Sequence, residues 1–215
     1  MYEYVDKSEY TPVRKELEEI IKHTQIAMRK NYGLTFQFRL IGSGGRHLIT
    51  RIKGGNRGYD FDYNLILSPP CEGYRYVAKV IKDEFIAALK VALRGTEYSF
   101  PKDSTSSITI KVIDRNKKKI RYSCDFAIIY YESNGNNDGY YYLRNNKEQQ
   151  SYCFVFRSLY SDIDEKVHEI ISDNGWPYIE DEYLLLKNIN EGNKKHSFSL
   201  YAEAVNNVYN QLYLQ

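Results

Sequence analysis

TFQFRLIGSGG at residues 35–45 and YDFDYNLIL at residues 59–67 are the two stretches that decide the fold. Apolar and polar residues alternate in the first, which predicts a strand that leads into a glycine-rich turn. The second predicts another strand, because its apolar run continues to a Pro-Pro break. Alternate residues of a strand share one face, so we expect Asp60 and Asp62 to point the same way with Cα atoms about 6 to 7 Å apart.

A third acid lies inside another apolar run, YSCDFAII at residues 122–129. A charge among apolar neighbours needs a partner, and Asp125 would have one if it lay beside Asp60 and Asp62. Three clustered carboxylates repel one another and cost several kcal/mol to desolvate unless a cation neutralises them. Oxygen ligands favour Mg²⁺ or Mn²⁺ over zinc. The sequence therefore predicts that Asp60, Asp62 and Asp125 hold metal ions and are catalytic.

The linker between the two strands is basic and contains no acidic residue. Its members are Arg46, His47, Arg51, Lys53 and Arg57. Gly42 and the glycines after it permit close backbone approach, and Ser43 adds a hydroxyl donor, so a phosphate can lie against this turn. We predict that Gly42, Ser43 and Arg46 bind a nucleotide. An exposed basic loop accounts equally well for Arg46, Arg51, Lys53 and Arg57.

The rest of the chain predicts an α+β fold. An amphipathic helix is expected from a Thr11-Pro12 start to Gly33, and a second helix between about residues 74 and 93. Further strands are expected at residues 106–114, 119–131, 140–144 and 151–156, a surface hairpin loop at 133–139, and three helices after residue 160. We place a boundary near residue 160, between a catalytic core (1–160) and a C-terminal helical subdomain (161–215).

Composition excludes several classes of protein. The chain has 215 residues, 42% hydrophobic residues and a formal net charge of +2, which excludes disorder and a surface that is basic overall. The spacing of Cys71, Cys124 and Cys153 matches no zinc or redox pattern, so reduced thiols are expected. No apolar run is long enough to span a membrane, and the polar start has no signal-peptide core, so a cytoplasmic protein is expected.

These motifs resemble those of the DNA polymerase β-like nucleotidyltransferase superfamily. That family carries a hydrophobic-Gly-Ser turn, an Asp-hydrophobic-Asp strand and a lone Asp on a neighbouring strand, which match Gly42, Ser43, Asp60, Asp62 and Asp125. The linker from Ser43 to Asp60 is longer than the usual form. The resemblance implies a mixed β-sheet flanked by helices, with a helical subdomain behind it.

A weaker resemblance lies in the helical part. LLLK at residues 184–187 and SFSL at residues 197–200 are similar to elements of oligoadenylate-synthase-like and bacterial cGAS-like enzymes. In those relatives the lysine and the serine contact the nucleotide triphosphate, so the resemblance implies that Lys187 and Ser197 bind nucleotide. This chain is shorter than typical members of that group, and their cyclic product is not carried over.

The expected function is a Mg²⁺-dependent transfer of a nucleoside monophosphate from an NTP such as ATP to an acceptor hydroxyl, with release of pyrophosphate. RNA, a second nucleotide and a small molecule remain open as acceptors. The alternative is a catalytically inactive nucleotide- or RNA-binding module of the same fold. A metal-dependent glycosyltransferase is disfavoured because the apolar run follows the acidic pair instead of preceding it. A PD-(D/E)xK-type nuclease is disfavoured because the required lysine is missing after Asp125.

Overall fold

The computed structural model describes residues 1–71, 73–131, 139–159, 162–190, 192 and 194–214. The strands in these residues are β1 (Tyr2–Tyr4), β2 (Phe36–Ile41), β3 (Thr50–Ile52), β4 (Tyr59–Leu67), β5 (Lys102–Asp103), β6 (Ile108–Asp114), β7 (Lys119–Tyr131), β8 (Gly139–Asn146) and β9 (Ser151–Ser158). The helices are α1 (Lys7–Tyr32), α2 (Gly42–Gly45), α3 (Ala78–Ala92), α4 (Asp162–Ser172), α5 (Trp176–Ile189) and α6 (Ser197–Tyr213). The hairpin loop expected at 133–139 lies outside the described residues except for Gly139, where β8 begins.

A mixed sheet occupies the centre of the fold. Its strand order is β2-β4-β7-β6-β5, and β8 and β9 extend it from the far end of β7. β4 and β7 are parallel, while β2 pairs antiparallel with β4 and β6 pairs antiparallel with β7. The α+β fold class expected from the sequence is therefore confirmed.

The sheet has one apolar and one polar face. Side chains such as Phe61, Leu65 and Phe126 are buried and belong to one core with residues of α1 and α3, among them Leu17 and Phe85. The residues that alternate with them on β4 and β7 point to the opposite face. The acidic residues of both strands are on this second face, which leaves them clear of the main core.

The three C-terminal helices form a second apolar cluster. It contains Ile170, Ile179, Tyr183 and Val205, and it also takes in Leu48 from the linker. Linker and helices are therefore packed as one unit. The division of the chain into two parts near residue 160 stays a prediction. Among the described residues, none of the helices is both long and apolar enough to cross a membrane.

The first helix begins earlier than the sequence indicated. The expected N-cap at Thr11 is wrong: α1 begins at Lys7, and the side chain of Asp6 caps it by accepting a hydrogen bond from the Ser8 amide at 2.7 Å. Pro12 lies inside the helix. Asp is a strong capping residue, and it outcompetes the Thr-Pro signal five residues later.

A small second sheet joins the N-terminus to the linker. β1 pairs antiparallel with β3, with Tyr2 opposite Ile52 and Tyr4 opposite Thr50. The Tyr4 hydroxyl donates to the Glu180 carbonyl oxygen at 2.7 Å, so the same strand also contacts α5. Sequence analysis missed both strands, because three-residue strands give too short a pattern to recognise.

Candidate active site

Strand register brings the three aspartates together on the polar face of the sheet. Asp60 and Asp62 are two residues apart on β4, and Asp62 lies directly opposite Asp125 on the parallel neighbour β7. Asp60 is opposite Ser123. Because paired residues on neighbouring strands point to the same face, the three carboxylates converge although Asp125 is distant in sequence.

Hydroxyl donors orient two of the three acids. Ser123 donates a hydrogen bond to Asp60. Ser107 donates to Oδ1 of Asp125 at 3.1 Å, and Thr109 donates to the same oxygen. These contacts leave the second oxygen of each carboxylate available to a ligand.

Asp62 is the electrostatically least satisfied of the three. Its pKa is raised to about 7, first by burial and then by the negative charges of Asp125 and Asp60. Burial also raises the pKa of Asp60, where the Ser123 hydrogen bond opposes the shift. A divalent cation beside these groups would remove the repulsion, and the all-oxygen donor set suits Mg²⁺ or Mn²⁺.

The residues therefore fit a metal in donor chemistry and in charge. Within the described ranges, however, no set of three or more His, Cys, Asp or Glu side chains is arranged to hold one ion by itself. A metal at this site would complete its coordination with water and with oxygens of a bound phosphate, as Mg²⁺ commonly does. Asp60, Asp62 and Asp125 remain the candidate ligands.

The glycine-rich turn lies against Asp62. Ile41, the last residue of β2, pairs with Asp62, so the chain turns at Gly42 directly beside that carboxylate. Gly42 has φ +62°, and a Cβ atom built on it would lie 2.8 Å from Oδ2 of Asp62. Residues 42–45 form the short helix α2 where the sequence indicated a turn. Ser43, in this helix, is partly buried.

Arg46 links the turn to the last helix. Its guanidinium donates to the Gly42 carbonyl oxygen at 3.1 Å and stacks 4.3 Å from the ring centroid of Tyr201 and 5.5 Å from that of Phe198. Planar guanidinium groups stack well on aromatic rings and still present donors at their edge. Arg46 is thus held at the border between the turn and α6.

Lys187 and Ser197 lie together at the same border. The Lys187 ammonium donates to the Ser197 hydroxyl at 3.1 Å and lies 4.5 Å from the ring centroid of Tyr2. Burial lowers the pKa of Lys187, and the charge of Asp60 opposes that shift. The lysine therefore interacts electrostatically with the acidic cluster.

Two further residues of the linker, Arg51 and His47, are paired with residues near the N-terminus. Arg51 forms ion pairs with Glu3 at 2.8 Å and with Glu9 at 2.6 Å. His47 is hydrogen-bonded through Nδ1 to the Tyr10 hydroxyl at 3.3 Å. Their charge and polarity are used in fixing the linker to α1 and β1, which is the structural role the sequence left open for them.

Sequence analysis missed the hydroxyl donors and Tyr2. Ser107 and Thr109 stand at the start of a β-rich run, Ser123 lies two residues before Asp125, and such residues are common in strands. Their only distinctive signal is alternation: Ser107 and Thr109 share a face, as do Ser123 and Asp125. Tyr2 gave no signal, because its contact with Lys187 joins the two ends of the chain.

Solved structures with the same fold bind or make nucleotides. DncV of Vibrio cholerae, a cyclic AMP-GMP synthase and prokaryotic cGAS homolog, aligns with a TM-score of 0.63 at 12% identity over 95% of this chain and 68% of that chain. The 3'-deoxy ATP-bound form of the same enzyme aligns with a TM-score of 0.57 at 14% identity, over 95% and 53%. CdnC of E. coli MS115-1, solved with ATP, aligns with a TM-score of 0.53 at 15% identity, over 95% and 62%.

The chain thus spans about half to two thirds of the length of these proteins. No protein-family model matches the sequence, and no curated protein matches it. At these identities the likeness establishes the fold alone. The nucleotidyltransferase-like α+β fold expected from the sequence is confirmed.

Proposed function

We propose that this protein is a nucleotidyltransferase that moves a nucleoside monophosphate from an NTP to an acceptor hydroxyl and releases pyrophosphate. The observation that carries the proposal is the register of β4 and β7, which sets Asp62 opposite Asp125 beside a glycine-rich turn. Fold neighbours that include a cyclic AMP-GMP synthase and an ATP-bound protein support an NTP as substrate.

The two charge clusters suit the two ends of the substrate. Lys187, Ser197 and Arg46 supply cationic and hydroxyl donors for the triphosphate, and Gly42 and Ser43 permit it to lie close to the backbone. Asp60, Asp62 and Asp125 would hold Mg²⁺ or Mn²⁺, which when bound neutralises phosphate charge and lowers the pKa of an attacking hydroxyl. These residue roles are part of the proposal.

The reaction is an in-line displacement at the α-phosphorus. The acceptor oxygen forms a bond to that phosphorus while the bond to the bridging oxygen of the β-phosphate breaks, and pyrophosphate leaves with the electron pair. The acceptor loses its proton, which Asp125 receives through its second oxygen and passes to solvent. Lys187 and Arg46 hold the departing negative charge.

A second nucleotide is the acceptor class that we favour. A synthase of cyclic AMP-GMP joins two nucleotides, and DncV is the neighbour with which this chain aligns at a TM-score of 0.63. RNA and small molecules also present hydroxyl groups. Label found on either of them would identify it as the acceptor instead.

Replacement of both acids on β4 tests the proposal. The wild-type protein is incubated with each α-labelled NTP and Mg²⁺, and labelled products and pyrophosphate are quantified. The double substitution Asp60→Ala and Asp62→Ala should lower the rate by a factor of about a thousand or more, because it removes several kcal/mol of charge stabilisation. The matched control is Asp164→Ala with Glu165→Ala, which removes two exposed acids from α4.

Circular dichroism and thermal unfolding establish that both double variants are folded. Equal turnover by the wild type and the β4 variant would reject the mechanism. NTP binding without pyrophosphate release by the wild type would instead identify an inactive nucleotide-binding module. Calorimetry with and without Mg²⁺ distinguishes that outcome from a protein that binds no NTP.

A further inference from the structure

A buried lysine on α3 lies behind the acidic site. The side chain of Lys82 is only 1% exposed, although lysine is rarely buried without a partner. Its ammonium lies 3.2 Å from Oδ1 of Asp103 and donates to the carbonyl oxygen of Ser107 at 3.0 Å and, more weakly, of Ser104 at 3.5 Å. It thus fixes both ends of the turn between β5 and β6.

That turn and the start of β6 carry the hydroxyls that orient Asp125. Ser107 and Thr109 both donate to Oδ1 of Asp125, and the hydroxyl of Ser104 is 3.0 Å from that of Thr109. The Ser104 amide also donates to the Ser107 carbonyl oxygen at 3.0 Å, which closes the turn. Ser107 of this turn therefore links the two groups: its carbonyl oxygen accepts from the Lys82 ammonium, and its hydroxyl donates to the Asp125 carboxylate.

Asp103 connects the same turn to the outer strands. Its Oδ2 accepts hydrogen bonds from the Asn145 amide at 2.8 Å and from the Tyr152 hydroxyl at 2.7 Å. The backbone amide of Asn145 donates to the carbonyl oxygen of Thr105 at 2.7 Å, inside the turn. The ion pair is thus part of a network that joins α3, β8 and β9 to the segment preceding β6.

Lys82 also interacts with Asp125 over a longer distance. Burial lowers the pKa of Lys82, while the charges of Asp103 and then of Asp125 oppose the shift. A positive charge held beneath the acidic face, out of contact with solvent, is not needed for packing, where a leucine or methionine would serve at lower cost.

We propose that Lys82, Ser107 and Thr109 are positioning residues that hold Asp125 with Oδ1 bound to the protein and Oδ2 turned toward the acceptor. The proposal rests on the nucleotidyltransferase function proposed above, since it assigns Asp125 to the acceptor side of that reaction. None of the three residues contacts Lys187 or Arg46, the two cationic side chains that we propose bind the triphosphate. Their loss should therefore slow the transfer step and leave NTP binding intact.

Steady-state kinetics on conservative pairs of variants test the proposal. Thr109→Val keeps the shape of the side chain but removes the hydroxyl, and Thr109→Ser keeps the hydroxyl. We expect Thr109→Val to lower kcat by about 10- to 100-fold, since misplacing a catalytic group by about 1 Å can cost about 100-fold, with the KM for NTP unchanged. Thr109→Ser should restore kcat, and Ser107→Ala with Ser107→Thr should behave in the same way.

Lys82 is tested against a lysine of the same helix. Lys82→Met should lower kcat as Thr109→Val does, whereas Lys90→Met should not, because Lys90 is an exposed lysine in the last turn of the same helix. If Lys82→Met does not fold, the Thr109 and Ser107 pairs decide. Unchanged kcat in Thr109→Val and Ser107→Ala, or equal losses in Thr109→Val and Thr109→Ser, would overturn the proposal.

A readout without turnover separates this proposal from the proposed function. Thr109→Val and Asp125→Asn are combined in a double-mutant cycle of thermal unfolding, which measures their contact in any folded protein. An inactive wild-type protein with a non-additive cycle would reject the function and keep the orientation of Asp125. An additive cycle would reject the orientation whatever the activity.

Discussion

The acidic and the cationic halves of the site are held in place in different ways. Asp62 and Asp125 are paired residues of adjacent parallel strands inside a seven-stranded sheet, so backbone hydrogen bonds fix their spacing. Lys187 and Arg46 are placed by their side chains, through aromatic rings and single hydrogen bonds. Backbone register tolerates few adjustments, whereas a stacked cation can move with its ring.

This difference indicates where in the site a substitution should have the larger effect. A small change next to the aspartates must distort a sheet or a carboxylate, and its effect should be large. A change next to the cations can be absorbed by a neighbouring donor, and its effect should be smaller. Four substitutions compare the two halves by the size of the expected free-energy change. They are given in order of decreasing effect.

Gly42→Ala should have the largest effect. The new methyl group would approach Oδ2 of Asp62 to 2.8 Å, and the residue would keep an unfavourable positive φ. We expect kcat to fall about 100-fold, because the acid or the turn must move. Gly54→Ala is the matched control, since Gly54 has φ +69° with open space around it. Equal activity losses in the two variants would assign the effect to backbone strain alone.

Asp62→Asn should stabilise the metal-free protein. The pKa of Asp62 is raised from 3.8 to about 7, so its stabilising contribution is present below pH 3.8 and is lost as the pH rises toward 7. The asparagine variant lacks this loss. At pH 8 it should be more stable by about 2 kcal/mol, or about 4 to 8 °C in Tm.

Thermal unfolding between pH 4 and 8 in the presence of a chelator measures this difference. The gap between wild type and Asp62→Asn should widen up to about pH 7 and then stay constant. Asp164→Asn, at an exposed position on α4, should follow the wild-type curve. A gap of the same size at pH 4 and pH 8 would contradict a pKa of Asp62 that is raised by burial and by the neighbouring carboxylates.

Lys187→Met should weaken NTP binding by about 10-fold, since a charged hydrogen bond contributes about 1.5 kcal/mol. The KM for NTP should rise while kcat changes less, because Arg46 remains to hold the phosphates. Lys90→Met removes an exposed lysine from α3 and serves as the control. A fall in kcat with no change in KM would place Lys187 outside the triphosphate site.

Tyr2→Leu should have the smallest effect. The ring lies 4.5 Å from the Lys187 ammonium, and a cation–π contact of this kind contributes about 0.5 to 1 kcal/mol. We expect the KM for NTP to rise about two- to five-fold, and Tyr2→Phe to preserve the wild-type value because the ring is retained. Equal KM values for Tyr2→Leu and Tyr2→Phe would show that the ring does not support Lys187.

Much of the acidic half of the site, and little of its cationic half, could be predicted from the sequence. The Asp60–Asp62 spacing follows from strand periodicity, which is local, and the strand itself was bounded correctly by its apolar run. The pairing of Asp62 with Asp125 depends on which strands become neighbours, which no local pattern determines. Lys187 and Ser197 were predicted only from the resemblance, because their contact is made between two separate helices.

The burial of Lys82 could have been predicted from the sequence but was not. Lys82 is four residues after Ala78 and three before Phe85, so helical periodicity places it on the buried face of α3. A lysine in phase with a buried stripe indicates an internal partner, and Asp103 could have been sought on that basis.

The parallel pairing of β4 with β7 also has a consequence for how the protein folds. α3, β5 and β6 lie between these strands in the chain, so the pairing of β4 with β7 closes a long loop. Contacts between such distant segments form slowly, because the entropy of closing a long loop is lost before the contact is made. A newly synthesised chain therefore brings Asp62 and Asp125 together late, when this long-range contact closes.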